Sequence, residues 1–138
     1  MSRILCIDYG AKRTGIAVTD PLQMIATALT TVSTHTLMDF LVKYLASEAV
    51  ERILIGEPLN LDDSPTHATP LVQAFIRQMR KKFPAIPIET VDERFTSKMA
   101  SRAMLDMGMK KKDRRVKGNI DQIAAALMLQ EYLASRQG

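Results

Sequence analysis

Residues that form disulfides or bind zinc are scarce in this chain. Its 138 residues include one cysteine, Cys6, and two histidines. A single cysteine excludes an internal disulfide, and Cys6 with two isolated histidines makes no zinc site of standard spacing. Cys6 falls within an apolar stretch, which favours a small core residue over a nucleophile. We therefore expect a protein of the reducing cytoplasm.

Long apolar runs and aromatic side chains are missing as well. No run approaches the roughly 18 apolar residues of a membrane-spanning helix, and Asp8 brings a charge too early for a secretory signal peptide. We expect no membrane partner. Tryptophan is absent and aromatic residues make up 5% of the chain, which disfavours an extended base-stacking platform. The 46% hydrophobic and 25% charged residues are typical of one globular domain, here residues 1–138.

Positive charge is concentrated in one short segment. The formal net charge is +4, yet Lys110–Lys117 (KKKDRRVK) holds six basic residues and one acidic residue. This segment alone contributes +5, so the other 130 residues sum to −1. A local basic patch of this kind is typical of a protein that binds a polyanion such as nucleic acid. A solvated charged face is the alternative.

Hydrophobic periodicity predicts alternating strands and helices. Strands are predicted at Arg3–Asp8, Thr14–Asp20, about Ala26–Val32, Arg52–Ile55 and Ile86–Val91. Helices are predicted from about Thr36 to Ala49, from about Pro70 to Phe83, from Thr96 or Ser97 to Gly108, and from about Asn119 to Ala134. The order βββαβαβα predicts an α/β fold with a mixed five-stranded sheet flanked by helices, its first strands paired as hairpins.

Acidic residues lie at two of the predicted strand ends. Asp8 ends the first strand, where a carboxylate can also serve as a turn residue that accepts backbone N–H bonds. Asp92 and Glu93 end the last strand and precede Arg94, so a surface ion pair is the alternative there. Consecutive strand residues point to opposite faces, so one of Asp92 and Glu93, and not both, can share a site with Asp8.

A further acid, Asp121, lies on the apolar side of the last predicted helix. It shares that side with Ala124, Ala125, Met128 and Tyr132, at spacings of three, four, seven and eleven residues. A carboxylate on such a stripe is costly to bury unless a cation or hydrogen-bond donors compensate it. The alternative is a first-turn acid in a helix that Asn119 caps.

The predicted order of elements brings the first strand, the end of the last strand and the final helix to one edge of the sheet. Several carboxylate oxygens converging there suit Mg²⁺ or Mn²⁺ better than zinc or copper. Such ions can activate water, hold a scissile phosphate and stabilise the leaving oxygen. The acids therefore indicate a metal-dependent hydrolase that acts on phosphodiesters.

Four motifs, in this order, resemble the YqgF family, also called RuvX. They are Ile7-Asp8-Tyr9-Gly10 with Lys12-Arg13-x-Gly15-x-Ala17, Gly56-x-Pro58-Leu59-Asn60, Asp92-Glu93-Arg94-Phe95-Thr96-Ser97, and Lys117-x-x-x-Asp121-x-x-Ala124-Ala125. The resemblance covers nearly the whole chain. It implies a ribonuclease H-like fold related to the RuvC Holliday-junction resolvases. It also implies an endonuclease that matures the 5′ end of pre-16S ribosomal RNA during ribosome biogenesis.

The resemblance further implies which residues form the site. The acidic triad of the family falls on Asp8, Glu93 and Asp121, which are the expected catalytic residues and ligands of Mg²⁺ or Mn²⁺. Glu93 is preferred to Asp92 on the family alignment, and the residues by themselves leave that choice open.

Basic residues near these acids are candidates for nucleic-acid binding. Lys12 and Arg13 lie in the first turn beside Asp8 and either hold a phosphate or are the solvated charges of a hairpin. Arg94 either pairs with an acid or grips phosphate with two hydrogen bonds. The other candidates belong to the basic segment: Lys110, Lys111, Lys112, Arg114, Arg115 and Lys117. Phosphate contacts from this segment would not read sequence and would weaken as salt is added.

Three other functions fit the same residues. A Holliday-junction resolvase would share the chemistry, act on structured DNA and require a symmetric dimer. The Asp8-Tyr9-Gly10 turn also resembles the first phosphate loop of actin and sugar-kinase ATPases, although those proteins surround one cleft with two such domains. A non-catalytic ribosome-assembly factor would bind RNA through the basic segment alone. Partners such as the ribosome or another nuclease, and the choice between a monomer and a homodimer, stay open.

Overall fold

The computed structural model describes residues 2–57, 67–92 and 117–137. The described strands are β1 (Arg3–Asp8), β2 (Arg13–Thr19), β3 (Ala26–Ser33), β4 (Val50–Glu57) and β5 (Ile88–Asp92). The described helices are α1 (Leu37–Ser47), α2 (Thr69–Lys82) and α3 (Lys117–Gln137), and a 3-10 turn at Thr34–Thr36 precedes α1. The order of these elements is the predicted βββαβαβα.

The five described strands form one mixed sheet in the order β3-β2-β1-β4-β5. β2 runs antiparallel to both β1 and β3, whereas β1, β4 and β5 run parallel to one another. The predicted mixed sheet with hairpins at its start is therefore confirmed. Because β1, β4 and β5 are parallel neighbours, their last residues, Asp8, Glu57 and Asp92, share one edge of the sheet.

One face of the sheet packs on α1 and α2. Leu5 and Ile7 of β1 lie in one buried cluster with Ile53 and Ile55 of β4. The helix residues buried in the same cluster are Leu37 and Leu41 of α1 and Val72, Phe75, Ile76 and Met79 of α2. These buried positions recur at the three- and four-residue spacing of one helical face.

The opposite face of the sheet packs on α3. Ile4 and Cys6 of β1 lie in a second buried cluster with Ala17 of β2. The buried α3 residues of this cluster are Ala125, Met128, Leu129 and Leu133. Cys6 is fully buried, as its place within the strand predicts. Because side chains alternate along a strand, Asp8 continues the row of Ile4 and Cys6 on the face that α3 covers.

Strand β4 is longer than its sequence indicates. It runs from Val50 to Glu57, whereas the prediction covers Arg52–Ile55. Val50 pairs with β1 and Glu57 pairs with β5, so hydrogen bonding to both neighbours carries the strand past Gly56, the predicted stop. A central strand satisfies its backbone groups by pairing even where its side-chain pattern is weak.

Helix α3 begins at Lys117, earlier than the predicted start at about Asn119. Asp121 therefore lies in the second turn of the helix and not in a first turn capped by Asn119. The stabilisation expected for a first-turn acid does not apply, because the effect of the helix N-terminus falls off within that turn. Lys117 stands four residues before Asp121 on the same helix, at the spacing that the sequence predicts.

Several predicted features fall outside the described residues. Among them are the helix from Thr96 or Ser97 to Gly108 and residues 110–116 of the basic segment. Across residues 2–57, 67–92 and 117–137, no helix combines the length and the apolar content needed to cross a membrane. The single domain over residues 1–138 stays a prediction.

Candidate active site

Gly15 lies next to both described acids of the predicted triad. It is the cross-strand partner of Asp8 in the antiparallel pair of β1 and β2, so their Cα atoms are about 5 Å apart. Helix α3 passes directly over it, since a Cβ atom there would clash with the backbone carbonyl of Asp121 and lie 2.7 Å from the backbone nitrogen of Gln122. A glycine in a strand permits this close approach. Asp8 and Asp121 are thus both immediate neighbours of Gly15.

The side chain of Asp8 points to the face of the sheet on which Asp121 lies. Directly opposed residues of an antiparallel pair direct their Cβ atoms to the same face. The missing Cβ of Gly15 points at α3, so the Asp8 carboxylate lies on the α3 face as well. Asp8 is half-buried and the side chain of Asp121 is 25% exposed. The strand end and the last helix therefore meet at the predicted edge.

Arg13 forms an ion pair with Asp121. The Nε of Arg13 donates to Oδ2 of Asp121 at 3.1 Å. Arg13 precedes Gly15 by two residues, so both belong to the row of β2 that faces α3. From the sequence, Arg13 is predicted either to bind nucleic acid or to be a solvated charge. That prediction does not include Asp121, which lies 108 residues away in the chain. The local signal is the glycine two residues later, which marks where the helix approaches the strand.

The turn that carries Lys12 and Arg13 is held by Thr34. The Thr34 hydroxyl donates to the Gly10 carbonyl at 2.6 Å, and the backbone N–H of Thr34 donates to the Lys12 carbonyl at 3.0 Å. The hydroxyl of Thr14, a fully buried residue, lies 3.0 Å from the Thr34 hydroxyl. A Cβ atom at Gly10 would clash with the Arg13 carbonyl. This network fixes the backbone from which the exposed Lys12 and the ion-paired Arg13 project.

Strand β5 brings Asp92 to the same edge of the sheet. Val91 packs against the cluster beneath α3. Asp92 is exposed and borders a shallow cavity beside Tyr132 and Ser135, in the later turns of α3. Glu93 lies outside the described residues, and its place in the triad stays a prediction.

Most other predicted site residues also lie outside the described residues. They are Arg94, Lys110, Lys111, Lys112, Arg114 and Arg115, whereas Lys117 is described as the first residue of α3. In the part of the chain that the structure describes, no three His, Cys, Asp or Glu side chains group closely enough to hold a metal ion. The described part of the candidate site therefore consists of two acids and the arginine bound to one of them.

The chemistry of these donors fits Mg²⁺ or Mn²⁺. Both ions prefer carboxylate oxygens, and Mg²⁺ commonly binds through one or two carboxylates while it keeps several waters. Asp121 already carries a positive group on Oδ2, the guanidinium of Arg13, so a cation is accommodated at this position. Asp121 packs against the sheet, and a partly buried carboxylate is stabilised by a neighbouring positive charge. A cation beside Asp121 is therefore favourable.

Comparisons with known sequences give one family across the chain. A model of the RuvX family, described as Holliday junction resolvase, matches residues 2–135. A relative from Phocaeicola vulgatus, named "Putative pre-16S rRNA nuclease", is 55% identical over 99% of both chains. A relative of the same name from Christiangramia forsetii is 54% identical over 96% of this chain and 98% of its own. The resemblance that the four motifs carry is therefore confirmed.

A comparison with solved structures gives the fold. RuvC from T. thermophilus, solved in complex with a Holliday junction substrate, superposes with a TM-score of 0.58. The match covers 100% of this chain and 97% of that chain, at 16% sequence identity. At this identity the similarity shows the fold alone, and it confirms the ribonuclease H-like α/β fold that the resemblance implies.

Proposed function

Because this chain belongs to the RuvX family, we propose that it is a divalent-metal-dependent endonuclease that acts on pre-16S ribosomal RNA. It hydrolyses a phosphodiester at the 5′ end of the precursor during ribosome biogenesis in the cytoplasm. The names of relatives that match over the full length support the substrate. The observation that carries the chemistry is the contact of Gly15 with both acid-bearing elements, β1 through Asp8 and α3 through Asp121.

The acids Asp8, Glu93 and Asp121 would hold Mg²⁺ or Mn²⁺ in this proposal. Such an ion, when bound by these residues, would supply an activated water and would offset the charge of the phosphate. The chain itself supplies the rigid positions of the ligands, which a functional site needs. Asp8 is held at the end of a strand that pairs on both sides, and Asp121 is held in the second turn of a helix packed on the sheet.

The basic residues would bind the backbone of the RNA. Lys12 is exposed in a turn whose backbone Thr34 fixes, one residue before the arginine that contacts Asp121. Arg94 and the basic segment Lys110–Lys117 adjoin two of the acids in sequence, since Glu93 precedes Arg94 and Asp121 follows Lys117 by four residues. Their charges would hold phosphates near the site and leave sequence recognition to other contacts, including those of the ribosome or a second nuclease.

A cleavage assay on a pre-16S transcript with an intact 5′ extension tests the proposal. We expect the purified protein to cut in Mg²⁺ or Mn²⁺ and to stop in a chelator. Asp8→Asn and Asp121→Asn should each lower the rate by roughly 100-fold or more, because loss of a ligand exceeds the effect of losing a residue that supports one. Asp39→Asn is the matched control, since Asp39 is an exposed acid on α1, which packs on the other face of the sheet.

Undiminished cleavage by both site variants would refute the proposal. A cell-based complementation assay separates it from a non-catalytic assembly role. If Asp8→Asn restores ribosome maturation as well as the wild type does, the protein acts by binding RNA. Ribosome maturation would then depend on the charge of the basic segment and not on the acidic triad.

A Holliday-junction resolvase is the second candidate, favoured by the description of the matching family. The same acids would serve, but paired cuts across a two-fold junction require a symmetric dimer. Sedimentation analysis with and without four-way DNA distinguishes the two. A stable dimer that cuts the junction would favour the resolvase, whereas a monomer that leaves four-way DNA intact would exclude it.

A further inference from the structure

The ion pair between Arg13 and Asp121 places a positive charge where the proposed function needs a metal ion. The Nε of Arg13 lies 3.1 Å from Oδ2 of Asp121. The arginine side chain is 41% exposed and the aspartate side chain is 25% exposed. Solvent therefore reaches both partners of this partly buried ion pair, so another cation can take the place of the guanidinium.

We propose that Arg13 occupies the Asp121 carboxylate in the metal-free protein and is displaced when the divalent ion binds. The released guanidinium is then available to a phosphate of the substrate. This inference rests on the proposed function and adds a regulatory step to the same site. It makes Arg13 a positioning residue that links occupancy by the metal to binding of the nucleic acid.

A guanidinium and a divalent ion compete for the same carboxylate. Oδ2 of Asp121 accepts the Nε–H bond of Arg13, and a ligand of Mg²⁺ or Mn²⁺ must offer an oxygen lone pair to the ion. The charge of Arg13 also repels a second cation a few ångströms away. Both effects make metal binding weaker than it would be without Arg13.

The exchange needs movement of the Arg13 side chain alone. Its backbone pairs with Ser33 at the start of the β2–β3 ladder, and Thr34 holds the turn that precedes it. The displaced guanidinium therefore stays at the rim of the site, within reach of a phosphate bound beside Asp121. Its planar set of donors matches phosphate oxygens with two parallel hydrogen bonds.

Calorimetric titration of Mn²⁺ into the full-length protein, without nucleic acid, tests the inference. In Arg13→Gln we expect the Kd for Mn²⁺ to fall about two- to fivefold, the range that follows from removing a partly exposed ion pair. Arg13→Lys keeps the charge but loses the planar Nε donor, so a smaller decrease is expected. Arg3→Gln is the control, because it removes a partly exposed pair with Glu48 of 3.4 Å, together with a hydrogen bond to the Thr19 carbonyl, at the other end of β1.

An equal or higher Kd in Arg13→Gln would overturn the inference, since Arg13 would then be indifferent to the metal or would hold Asp121 in place for it. Asp121→Asn separates this failure from that of the proposed function. If the wild type binds Mn²⁺ and Asp121→Asn does not, the metal site stands while the displacement fails. If the wild type does not bind Mn²⁺, both are wrong.

A second measurement follows the guanidinium itself. The Nε–H resonance of Arg13 in an NMR spectrum, assigned by its loss in Arg13→Lys, reports on its bond to Asp121. We expect saturating Mg²⁺ to shift this resonance or to broaden it by exchange with water, while the Nε–H resonance of Arg3 stays in place. A purely structural ion pair would leave both resonances unchanged and would contradict the displacement.

Discussion

Gly15 and Asp121 approach so closely that a Cβ atom on the glycine would overlap the backbone carbonyl of the aspartate. This approach sets the depth at which α3 lies on the sheet. Because Asp8 is the cross-strand partner of the same glycine, it also sets the separation of the two acids. The geometry of the candidate site therefore depends on a residue without a side chain.

The first prediction concerns Gly15→Ala. The added methyl group must push α3 away from β2 or distort the strand, and overpacking of this kind costs about 1–3 kcal/mol of unfolding free energy. The same displacement should move Asp121 from Asp8 and raise the Kd for Mn²⁺. Urea unfolding and Mn²⁺ calorimetry check the two effects, with Thr27→Ala at an exposed position of β3 as the control. Wild-type values for both quantities would contradict the account.

The second prediction concerns the hydroxyl of Thr34, which donates to Gly10 and contacts Thr14. Thr34→Val removes a hydrogen-bond partner from the fully buried Thr14, at a cost of about 1–3 kcal/mol. Thr36→Val is the matched control, since the Thr36 hydroxyl donates to the Ser33 carbonyl at an exposed position and should cost less. Urea unfolding measures both variants. An equal loss of unfolding free energy in the two variants would show that the bond to buried Thr14 adds no stability beyond that of an exposed hydroxyl.

The third prediction concerns acid stability in the loop between β2 and β3. The backbone N–H of Ile25, with those of Met24 and Leu22, donates to the Asp20 carboxylate and lowers its pKa below the ordinary value of 3.8. A lowered folded-state pKa stabilises the protein above the unfolded pKa, and this stabilisation is lost as the pH falls through the folded pKa. The difference in unfolding free energy between wild type and Asp20→Asn should therefore shrink as the pH falls below about 4.

Urea unfolding at a series of pH values measures this difference. Asp39→Asn is the control, because Asp39 is an exposed acid in the first turn of α1 and lies away from that loop. This control shows whether the change with pH belongs to the Asp20 loop or follows the removal of any exposed acid. A gap between wild type and Asp20→Asn that stays constant from neutral to acid pH would contradict the prediction.

The fourth prediction concerns the basic segment. Changing Lys110, Lys111 and Lys112 to Gln should lower the affinity of the protein for RNA by the same factor whatever the RNA sequence. It should also lower the slope of log K against log salt by about 0.7–0.9 for each phosphate that the segment no longer neutralises. Arg80, Lys81 and Lys82 form an exposed basic triplet at the end of α2, so their change to Gln is a control of equal charge. Fluorescence anisotropy with labelled RNA measures both. Equal weakening by the two triplets would argue for nonspecific charge alone.

The fold could be predicted because its elements carry clear local patterns. The apolar positions of α1 and α2 recur at helical spacing, and the order of strands and helices admits few arrangements. The far boundary of β4 could not be predicted, since Gly56 and Glu57 join the strand through pairing with β5 and carry no strand signal of their own. Pairing partners that are distant in sequence decide such ends.

The candidate site could be predicted in part. The strand end at Asp8 and the apolar side of the helix at Asp121 point to one edge, and the structure brings those elements together at Gly15. The partner of Arg13 could not be predicted, because it depends on which row of β2 faces α3 and on where the helix crosses it. The choice between Asp92 and Glu93 stays a prediction, because Glu93 lies outside the described residues.

A crystal structure of the protein soaked in Mn²⁺, with the ion located by its anomalous signal, tests directly whether Asp8 and Asp121 share a metal ion. We expect an ion bound to carboxylate oxygens of both Asp8 and Asp121, with the guanidinium of Arg13 moved off Asp121. An ion bound elsewhere at saturating Mn²⁺, with the Arg13–Asp121 pair intact and both acids without metal, would contradict it.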